Sequence, residues 1–314
     1  MIIFNIFILI VYLLIVDACP SQEDLYPCSC FWNGVAHVTC TKLENNHDLI
    51  NAARSLVGKN YKQSITIQNS VFNFIPSDAF KGLKVAELEI QNSTLMALTD
   101  ADFAFEGLED YLQVLRMENF KLLGEWSWSV LSKLNQLKTL EIKNGELENI
   151  EDLGKINLEN LNTIDFTNNG ISFLHDNAFA NSRTVRNIII RHNEIAILKR
   201  TMLPNPAIAL VVLNLSYNKI EQFPDDMFSL IPHLKYLDIS HNKILVLSEK
   251  VFAPIWSSLI EFKAMGNELR CDCRMSWILQ SKKPQVIYAT CAMPQTVRGK
   301  SLSALTSKDL WCIY

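Results

Sequence analysis

The strongest constraint on the fold is a leucine-rich pattern that recurs through most of the chain. The pattern LxxLxLxxNxL is clearest at residues 210–220 (LVVLNLSYNKI) and 234–244 (LKYLDISHNKI). With its fourth position as a marker, nine registers occur, and successive markers lie 23 to 27 residues apart. The markers are Ile65, Leu88, Leu115, Leu140, Ile164, Ile188, Leu213, Leu237 and Phe262. A chain with such a period folds as a stack of similar units, not around one central core.

The period indicates leucine-rich repeats, whose usual length is about 20–29 residues. Positions four and six are apolar because they point inward from a short strand, whereas positions three, five and seven point to the concave, solvent-facing side. One strand cannot bury its own apolar side, so neighbouring repeats must stack. We therefore predict an α/β solenoid, a leucine-rich-repeat horseshoe with a parallel β-sheet on its concave side.

A second apolar column follows fifteen residues after most markers and is predicted to fill the core beneath the convex turns. Its members are Phe80, Phe103, Val130, Phe179, Leu203, Phe228 and Phe252. The irregular segment EWSWSVL, with Trp126 and Trp128, is expected to form a longer convex helix or a bulge.

Position nine is usually asparagine, which is expected to bond backbone groups of the turn that would otherwise be buried without partners. The predicted ladder is formed by Asn169, Asn193, Asn218, Asn242 and Asn267. In the first four repeats position nine holds Ser70, Ser93, Phe120 and Gly145, and an asparagine stands one place earlier. Those asparagines, Asn69, Asn92, Asn119 and Asn144, form either a shifted ladder or an exposed polar stripe.

Eight cysteines occur in two clusters near the ends of the chain. They are Cys19, Cys28, Cys30 and Cys40, then Cys271, Cys273, Cys291 and Cys312. An even number of cysteines in an oxidising compartment indicates disulfides. A bond within either CxC pair would form a strained ring, so two connectivities remain for each cluster. Structural zinc is disfavoured because it prefers cysteine pairs with two to four residues between them and histidine partners, whereas these are CxC pairs.

Residues 1–18 are apolar almost without a break up to Val16 and end in the small-residue site Val16-Asp17-Ala18, which is typical of a cleaved secretory signal; a retained signal anchor is the alternative. The run is shorter than the roughly 20 residues that a membrane span needs. We therefore expect a secreted, extracellular product with residues 19–60 as an N-terminal cap, 61–266 as the repeats and 267–314 as a C-terminal cap.

The two cysteine clusters resemble the flanking modules of extracellular leucine-rich-repeat proteins. The first reads CPSQEDLYPCSCFWNGVAHVTC, and the second begins NELRCDCRMSWIL. Such caps cover the core that the terminal repeats would expose. The resemblance implies that the first cysteine of each cluster bonds the third and the second bonds the fourth. The implied pairs are Cys19 with Cys30, Cys28 with Cys40, Cys271 with Cys291, and Cys273 with Cys312.

Nearly the whole sequence is also similar to a group of secreted arthropod leucine-rich-repeat proteins, named after the non-catalytic subunit of oplophorus-luciferin 2-monooxygenase. The similarity lies in DLYPCSC, ITIQNSVFNFIPSDAF, LEIQNSTLMALTDADFAFEGLEDYLQVLRM and SLSALTSKDLWC. It implies a binding or stabilising subunit without catalysis of its own.

The residues themselves contain no recognisable catalytic, cofactor or metal motif. No GxGxxG, GxxxxGK[ST], HExxH or GxSxG string occurs. His192, Tyr217 and His241 share position eight, but alternate repeats lie nearly 10 Å apart, too far for both histidines to bind one metal. With 29 Lys and Arg against 33 Asp and Glu, the chain also lacks the basic balance of a nucleic-acid binder.

Function is expected on the concave face, where positions three, five and seven together hold seven acids and four bases. The least charged stretch is the preferred contact surface. The candidate contact residues are Ile189, Val212, Asn214, Tyr236, Asp238, Arg191 and Asp165.

Two N-glycosylation sequons begin at Asn92 and Asn214. A glycan on Asn214 would cover the neighbouring sides of Ile189 and Asp238, and a partner would then bind the N-terminal half or a flank. Without that glycan, the candidate surface is free.

Two functions remain open. One is a monomeric, secreted, non-catalytic module that binds a protein partner, with no nucleic-acid partner, no membrane span and no cofactor. The other is the non-catalytic stabilising subunit of a secreted enzyme complex.

Overall fold

The computed structural model describes residues 19–151 and 153–312. The chain divides into two compact units, with the boundary after Thr139. The predicted secretory signal, residues 1–18, lies outside the described residues.

The first unit consists of a cap followed by three repeat strands. Its main sheet has the order β1-β2-β3-β5-β7. A small parallel sheet, β4-β6-β8, is formed by the segments that follow β3, β5 and β7. The strands are β1 (Cys28–Trp32), β2 (Ala36–Thr41), β3 (Gln63–Gln68), β4 (Val71–Phe72), β5 (Val85–Gln91), β6 (Thr94–Leu95), β7 (Val114–Glu118) and β8 (Lys121–Leu122). The helices are α1 (Gln22–Leu25) and α2 (Asn46–Leu56).

The N-terminal cap continues the sheet of the repeats. The hairpin β1-β2 is antiparallel, but β2 pairs in parallel with β3 and places Val38 opposite the marker Ile65. Asn45 begins α2 by accepting hydrogen bonds from the backbone nitrogens of His47 and Asp48, a typical N-cap.

The second unit has one sheet of order β9-β11-β13-β14-β15-β16-β17 and a two-stranded sheet, β10-β12. The markers face one another in register from Ile164 to Phe262. The strands are β9 (Thr139–Lys143), β10 (Asn149–Ile150), β11 (Thr163–Asp165), β12 (Phe173–Leu174), β13 (Asn187–Ile189), β14 (Val212–Asn214), β15 (Tyr236–Asp238), β16 (Glu261–Lys263) and β17 (Val286–Tyr288). The helices are α3 (Glu249–Trp256) and α4 (Trp277–Gln280).

The C-terminal cap also adds a strand, β17, which pairs in parallel with β16 and places Ile287 opposite Phe262. Trp277 of the cap is buried, donates its indole N–H to the Leu247 carbonyl at 2.9 Å and packs edge-on against Trp256. The cap therefore covers the aromatic core of the last repeat.

All eight cysteines are paired, two disulfides in each cap. The structure joins the same pairs that the resemblance implies: Cys19–Cys30, Cys28–Cys40, Cys271–Cys291 and Cys273–Cys312.

The predicted apolar column is buried at Phe80, Phe179, Leu203, Phe228 and Phe252 but not at Phe103. Phe103 is 36% exposed, and the Lys133 ammonium lies 3.8 Å from its ring centre, whereas Phe105 is fully buried. The expectation for Phe103 is therefore wrong. Its repeat is 27 residues long, and the two extra residues move the inward position from 103 to 105.

The segment EWSWSVL forms a short 3-10 helix, Trp128–Leu131, and not a longer helix. Trp128 and Leu131 are buried in it, while Val130, predicted to lie in the core, is only half-buried. The tighter 3-10 turn changes which side chain faces inward.

The charged side chain of Arg200 is buried in the second unit. Arg200 is 5% exposed, and its guanidinium donates to the carbonyls of Ser229 at 2.8 Å and Pro204 at 2.9 Å. Burial lowers the pKa of Arg200. The side chain ties its own convex loop to that of the next repeat.

The asparagine ladder spans the second unit as predicted. Each ladder amide accepts from a backbone N–H of the preceding repeat at 3.0 Å, as Asn218 does from Ile195, and donates to backbone carbonyls. The Asn218 Nδ2, for example, reaches the Ile190 carbonyl at 2.8 Å. The ladder thereby satisfies turns that exclude water.

In the first unit, serine hydroxyls at position nine accept the backbone hydrogen bonds that asparagine amides accept in the second unit. The Ser70 hydroxyl accepts from the Leu43 N–H at 3.0 Å, and the Ser93 hydroxyl accepts from the Ser70 N–H at 3.1 Å. The asparagines one place earlier are exposed, so they form the polar stripe and not a shifted ladder.

Position eight is a left-handed turn residue, with φ between 46° and 68° from Asn69 to Gly266. Asparagine and glycine tolerate this conformation better than other residues.

Replacing Asn218 with alanine is expected to lower the free energy of unfolding by about 2–4 kcal/mol, since buried backbone groups on two repeats lose their partner. Urea denaturation of the purified protein measures this. Asn168→Gly, at the exposed left-handed position, is the control and should change stability by less than about 1 kcal/mol. Equal effects of the two substitutions would contradict the ladder.

Replacing Cys273 with serine is expected to expose the apolar core of the last repeat and reduce secretion, because loss of a native disulfide typically costs about 2–5 kcal/mol. Secreted yield and melting temperature are the measurements. Values equal to those of the unmodified chain would refute a capping role for the C-terminal cluster.

Candidate functional site

The candidate contact residues lie on the open face of the second unit, the side of the sheet opposite the apolar core. Tyr236 is 40% exposed, Arg191 is exposed, and four further residues are half-buried. These four are Ile189, Val212, Asn214 and Asp238.

Asp165 does not fit the expected contact surface, because only 7% of the residue is exposed. One carboxylate oxygen accepts from the Thr167 N–H at 3.1 Å and its hydroxyl at 2.6 Å, and the other lies 3.0 Å from the Lys143 ammonium. Asp165 therefore belongs to a polar cluster within the sheet face. Its inclusion in the predicted contact set is wrong.

Position five has a role in the backbone that the repeat pattern does not show. Asn214 and Asp238 each accept at 3.0 Å from the backbone N–H two residues later, as Asp165 does. These side chains fold back over the end of their strands instead of projecting freely. Short polar side chains commonly bond their own backbone in this way.

The C-terminal cap extends the candidate surface beyond the predicted residues. The register places Val286 beside Glu261 and Tyr288 beside Lys263 on the open face. Val286 is 39% exposed, Tyr288 is 49% exposed, and Met265 of the preceding repeat is 40% exposed. We call Tyr236, Met265, Val286 and Tyr288 the face patch.

Most charges on the open face are paired with one another. In the first unit Arg116 forms an ion pair with Glu87. In the second, the Lys143 ammonium lies 2.7 Å from the Glu141 carboxylate, and burial lowers the Lys143 pKa less than its two acidic partners raise it.

At the face patch, the Lys263 ammonium lies 2.8 Å from the Glu261 carboxylate, and this hydrogen bond raises the Lys263 pKa. The same ammonium lies 5.7 Å from the centre of the Tyr288 ring. Among the described residues, Arg191 and Asp238 form no ion pair. Their hydrogen bonds are instead to polar groups: the Arg191 Nε donates to the Thr167 hydroxyl at 3.4 Å, and Asp238 accepts from the Ser240 N–H at 3.0 Å.

A stack of three rings borders the same face at position eight. The centres of His192 and Tyr217 are 4.1 Å apart with an interplanar angle of 11°, and those of Tyr217 and His241 are 4.1 Å apart at 12°. We call these three residues the ring stack. The sequence shows the column, but the stacking depends on the left-handed backbone at each ring.

Gly266 ends the ring stack. A side-chain carbon at this position would overlap the His241 imidazole, so only glycine lets the last ring lie flat against the next turn. The three rings thus lie stacked beside the open face, with 44% of Tyr217 exposed.

The two sequons lie in different environments. Asn92 is exposed at a left-handed turn, and its Oδ1 accepts from Asn119 at 2.9 Å. Asn214 is half-buried in β14, and its Oδ1 accepts from the Ser216 hydroxyl at 2.7 Å. Asn214 therefore projects into solvent less than position five suggests.

One group among residues 19–151 and 153–312 has the arrangement of metal ligands: Asp272, Cys273 and Cys312. The two cysteines form a disulfide and offer no thiolate. Asp272 is instead held by Arg274, whose hydrogen bonds lower the Asp272 pKa. This group is structural.

Comparison with protein families supports the repeat assignment. The leucine rich repeat model matches residues 208–257, and the model of the BspA type leucine rich repeat region matches residues 55–182. Leucine-rich repeats are thus shown in both units, and the predicted repeat fold is confirmed.

The chain is similar to several known proteins. The chain is 22% identical to the oplophorus-luciferin 2-monooxygenase non-catalytic subunit of Oplophorus gracilirostris, over 92% of this chain and 86% of that protein. It is 31% identical to lumican of Bos taurus over 54% of each chain. One chain of a solved octameric complex of latrophilin 3, Unc5D and FLRT2 matches 94% of this chain with a TM-score of 0.60 and 18% identity.

No helix in the described part of the chain has both the length and the apolar character needed to cross a membrane.

Substituting Gly266 with alanine is expected to push the His241 ring off Tyr217. Loss of the ring-current shift on the His241 protons in NMR spectra reports this displacement. Gly170→Ala is the matched control, since Gly170 also has a left-handed φ (77°) but has open space around it. Unchanged His241 shifts in Gly266→Ala would show that the stack does not depend on the glycine.

Proposed function

We propose that the protein is a secreted, non-catalytic module that binds a protein partner through the open face of its second unit. The face patch carries this proposal, because four large side chains stay exposed together: Tyr236, Val286 and Tyr288 on strands of one sheet, and Met265 just after β16. Aromatic and methionine side chains are enriched at protein interfaces, and tyrosine is a frequent energetic anchor.

The face patch alone is smaller than a specific interface, which buries about 800 Å² on each partner. The half-buried Ile189 and Val212 extend it along the sheet, and the ring stack extends it at the edge. Arg191 and Asp238 lie in the same region without ion-pair partners. The partner that fits this surface has an apolar centre flanked by an acidic group for Arg191 and a basic group for Asp238.

Charge pairing elsewhere on the sheet supports the same location. The ion pairs of the open face satisfy Lys143 and Arg116 within the protein, so these residues offer a partner little net charge. Binding there would also break existing pairs. The face patch itself is apolar and adjoins one ion pair, Lys263–Glu261, so binding there mainly removes water from apolar side chains.

Secretion is part of the proposal. Four disulfides with no free cysteine fit an oxidising compartment and are rare in the cytosol.

A second candidate function rests on one observation, the similarity to a protein named as a non-catalytic subunit over most of both chains. In this alternative, the same face holds a catalytic chain in a secreted complex and stabilises it. The two candidates differ in whether the partner is an enzyme, and neither requires catalysis by this chain.

The state of Asn214 determines how much of the open face a partner can use. A glycan there would cover Ile189 and Asp238, whereas Val286 and Tyr288 lie three strands away, roughly 14 Å from it. An occupied Asn214 would therefore shift the contact toward the cap end of the face patch. Peptide mapping after glycosidase treatment in heavy-oxygen water measures the occupancy at Asn214 and Asn92.

The partner can be identified by cross-linking the protein in its native secretion and by mass spectrometry. With that partner purified, alanine at Tyr236 or Tyr288 is expected to weaken binding about tenfold or more, as loss of an aromatic anchor does. Surface plasmon resonance gives the affinity. A partner enzyme whose activity decays faster without this protein would favour the second candidate.

Ile197→Ala is the matched control, because Ile197 is a large apolar residue of the same unit that is 72% exposed outside the face patch. It should bind as the unmodified protein does. Full affinity of the folded Tyr236 and Tyr288 variants would refute the proposed surface.

A further inference from the structure

The chain contains three Asn-Gly pairs, which differ in exposure and in hydrogen bonding. They are Asn33-Gly34, Asn144-Gly145 and Asn169-Gly170. Glycine has no side chain to shield its backbone nitrogen, so an asparagine before it can cyclise onto that nitrogen. We propose that Asn33 is a modification site, at which the fold permits deamidation assisted by His37 while protecting the other two pairs.

Asn33 and Gly34 lie in the loop of the β1-β2 hairpin, between the paired residues Trp32 and Ala36. Asn33 is exposed, and there is open space around Gly34, whose φ is 102°. Within the described residues the Gly34 N–H donates no hydrogen bond. The attacking nitrogen is therefore free, and the loop has room for a ring to close.

His37 lies beside the group that reacts. Its Nε2 is 3.0 Å from the Asn33 Oδ1, and the amide oxygen can only accept, so Nε2 is the donor. A donor at this oxygen draws electrons from the side-chain carbonyl and stabilises the negative charge that forms during attack. His37 thus contacts the reacting amide as a general acid.

The reaction needs only water. The Gly34 nitrogen attacks Asn33 Cγ, the Cγ–Nδ2 bond breaks, and ammonia leaves with the proton that the Gly34 nitrogen gives up. Water then opens the resulting succinimide at either carbonyl. The product is an aspartyl or isoaspartyl residue at position 33, which adds one negative charge to the cap beside His37.

The ladder protects the other two pairs. The Gly145 N–H, which would attack Asn144, already donates to the Asn169 Oδ1 at 3.0 Å. Asn169 is only 3% exposed, and its Nδ2 donates to the Ile142 carbonyl at 2.7 Å. Cyclisation at either pair requires breaking the ladder.

Incubation of the folded protein in neutral buffer, followed by peptide mapping and an isoaspartate assay, tests the proposal. Acid forms are expected to accumulate several-fold faster at Asn33 than at Asn144 or Asn169. In denaturant the three pairs should react at similar rates, since the protection comes from the fold. Equal rates in the folded protein would overturn the proposal.

His37→Leu separates chemical assistance from hairpin stability. Loss of the donor is expected to slow deamidation at Asn33 several-fold, with Asn144 and Asn169 unchanged, whereas a merely loosened hairpin would speed it. An unchanged or faster rate in the folded variant would overturn the role of His37. His37→Gln, which keeps an N–H donor, should retain part of the rate and provides a second variant for the same test.

Discussion

The structure depends on one constraint: the turn that follows each strand is buried, and its backbone groups must find partners without water. The second unit meets this constraint with asparagine amides that accept from one repeat and donate to carbonyls of another, and the first unit meets it with the hydroxyls of Ser70 and Ser93. A single amide that bridges neighbouring turns keeps their strands in register. The left-handed residue before each ladder position then turns the chain off the strand, which sets the direction of every side chain at the edge of the sheet.

The candidate site follows from this regular stacking. A sheet in register gives three outward positions per strand, and most charged side chains at these positions pair within the protein. Where the repeats end, the cap continues the sheet with β17, so Val286 and Tyr288 join Tyr236 and Met265 on one face. The disulfide-bonded cap thus covers the core and also contributes to the surface that we assign to a partner. The ring stack depends on the same backbone, because stacking at 4.1 Å requires left-handed residues spaced one repeat apart.

Much of this could be predicted from sequence, because strand alternation and ladder asparagines depend on residue type and spacing alone. The marker positions and the ladder are where the pattern places them. The exposure of Phe103 and burial of Phe105 could not be predicted, since a two-residue insertion changes the inward position in a way that a fixed offset misses. Asp165 is buried because Lys143 and Thr167 satisfy it, which depends on neighbouring repeats. Strand β17 lies outside the repeat pattern, so the pattern does not predict that Tyr288 lies on the open face.

The central claim is that a protein partner binds the open face of the second unit. Hydrogen–deuterium exchange of the protein with and without the partner recovered from its native secretion tests this claim most directly. The account predicts that binding slows exchange in the peptides that contain Tyr236–Asp238, Glu261–Lys263 and Val286–Tyr288. Slowed exchange confined to the small sheet β4-β6-β8 of the first unit, with these peptides unchanged, would contradict it.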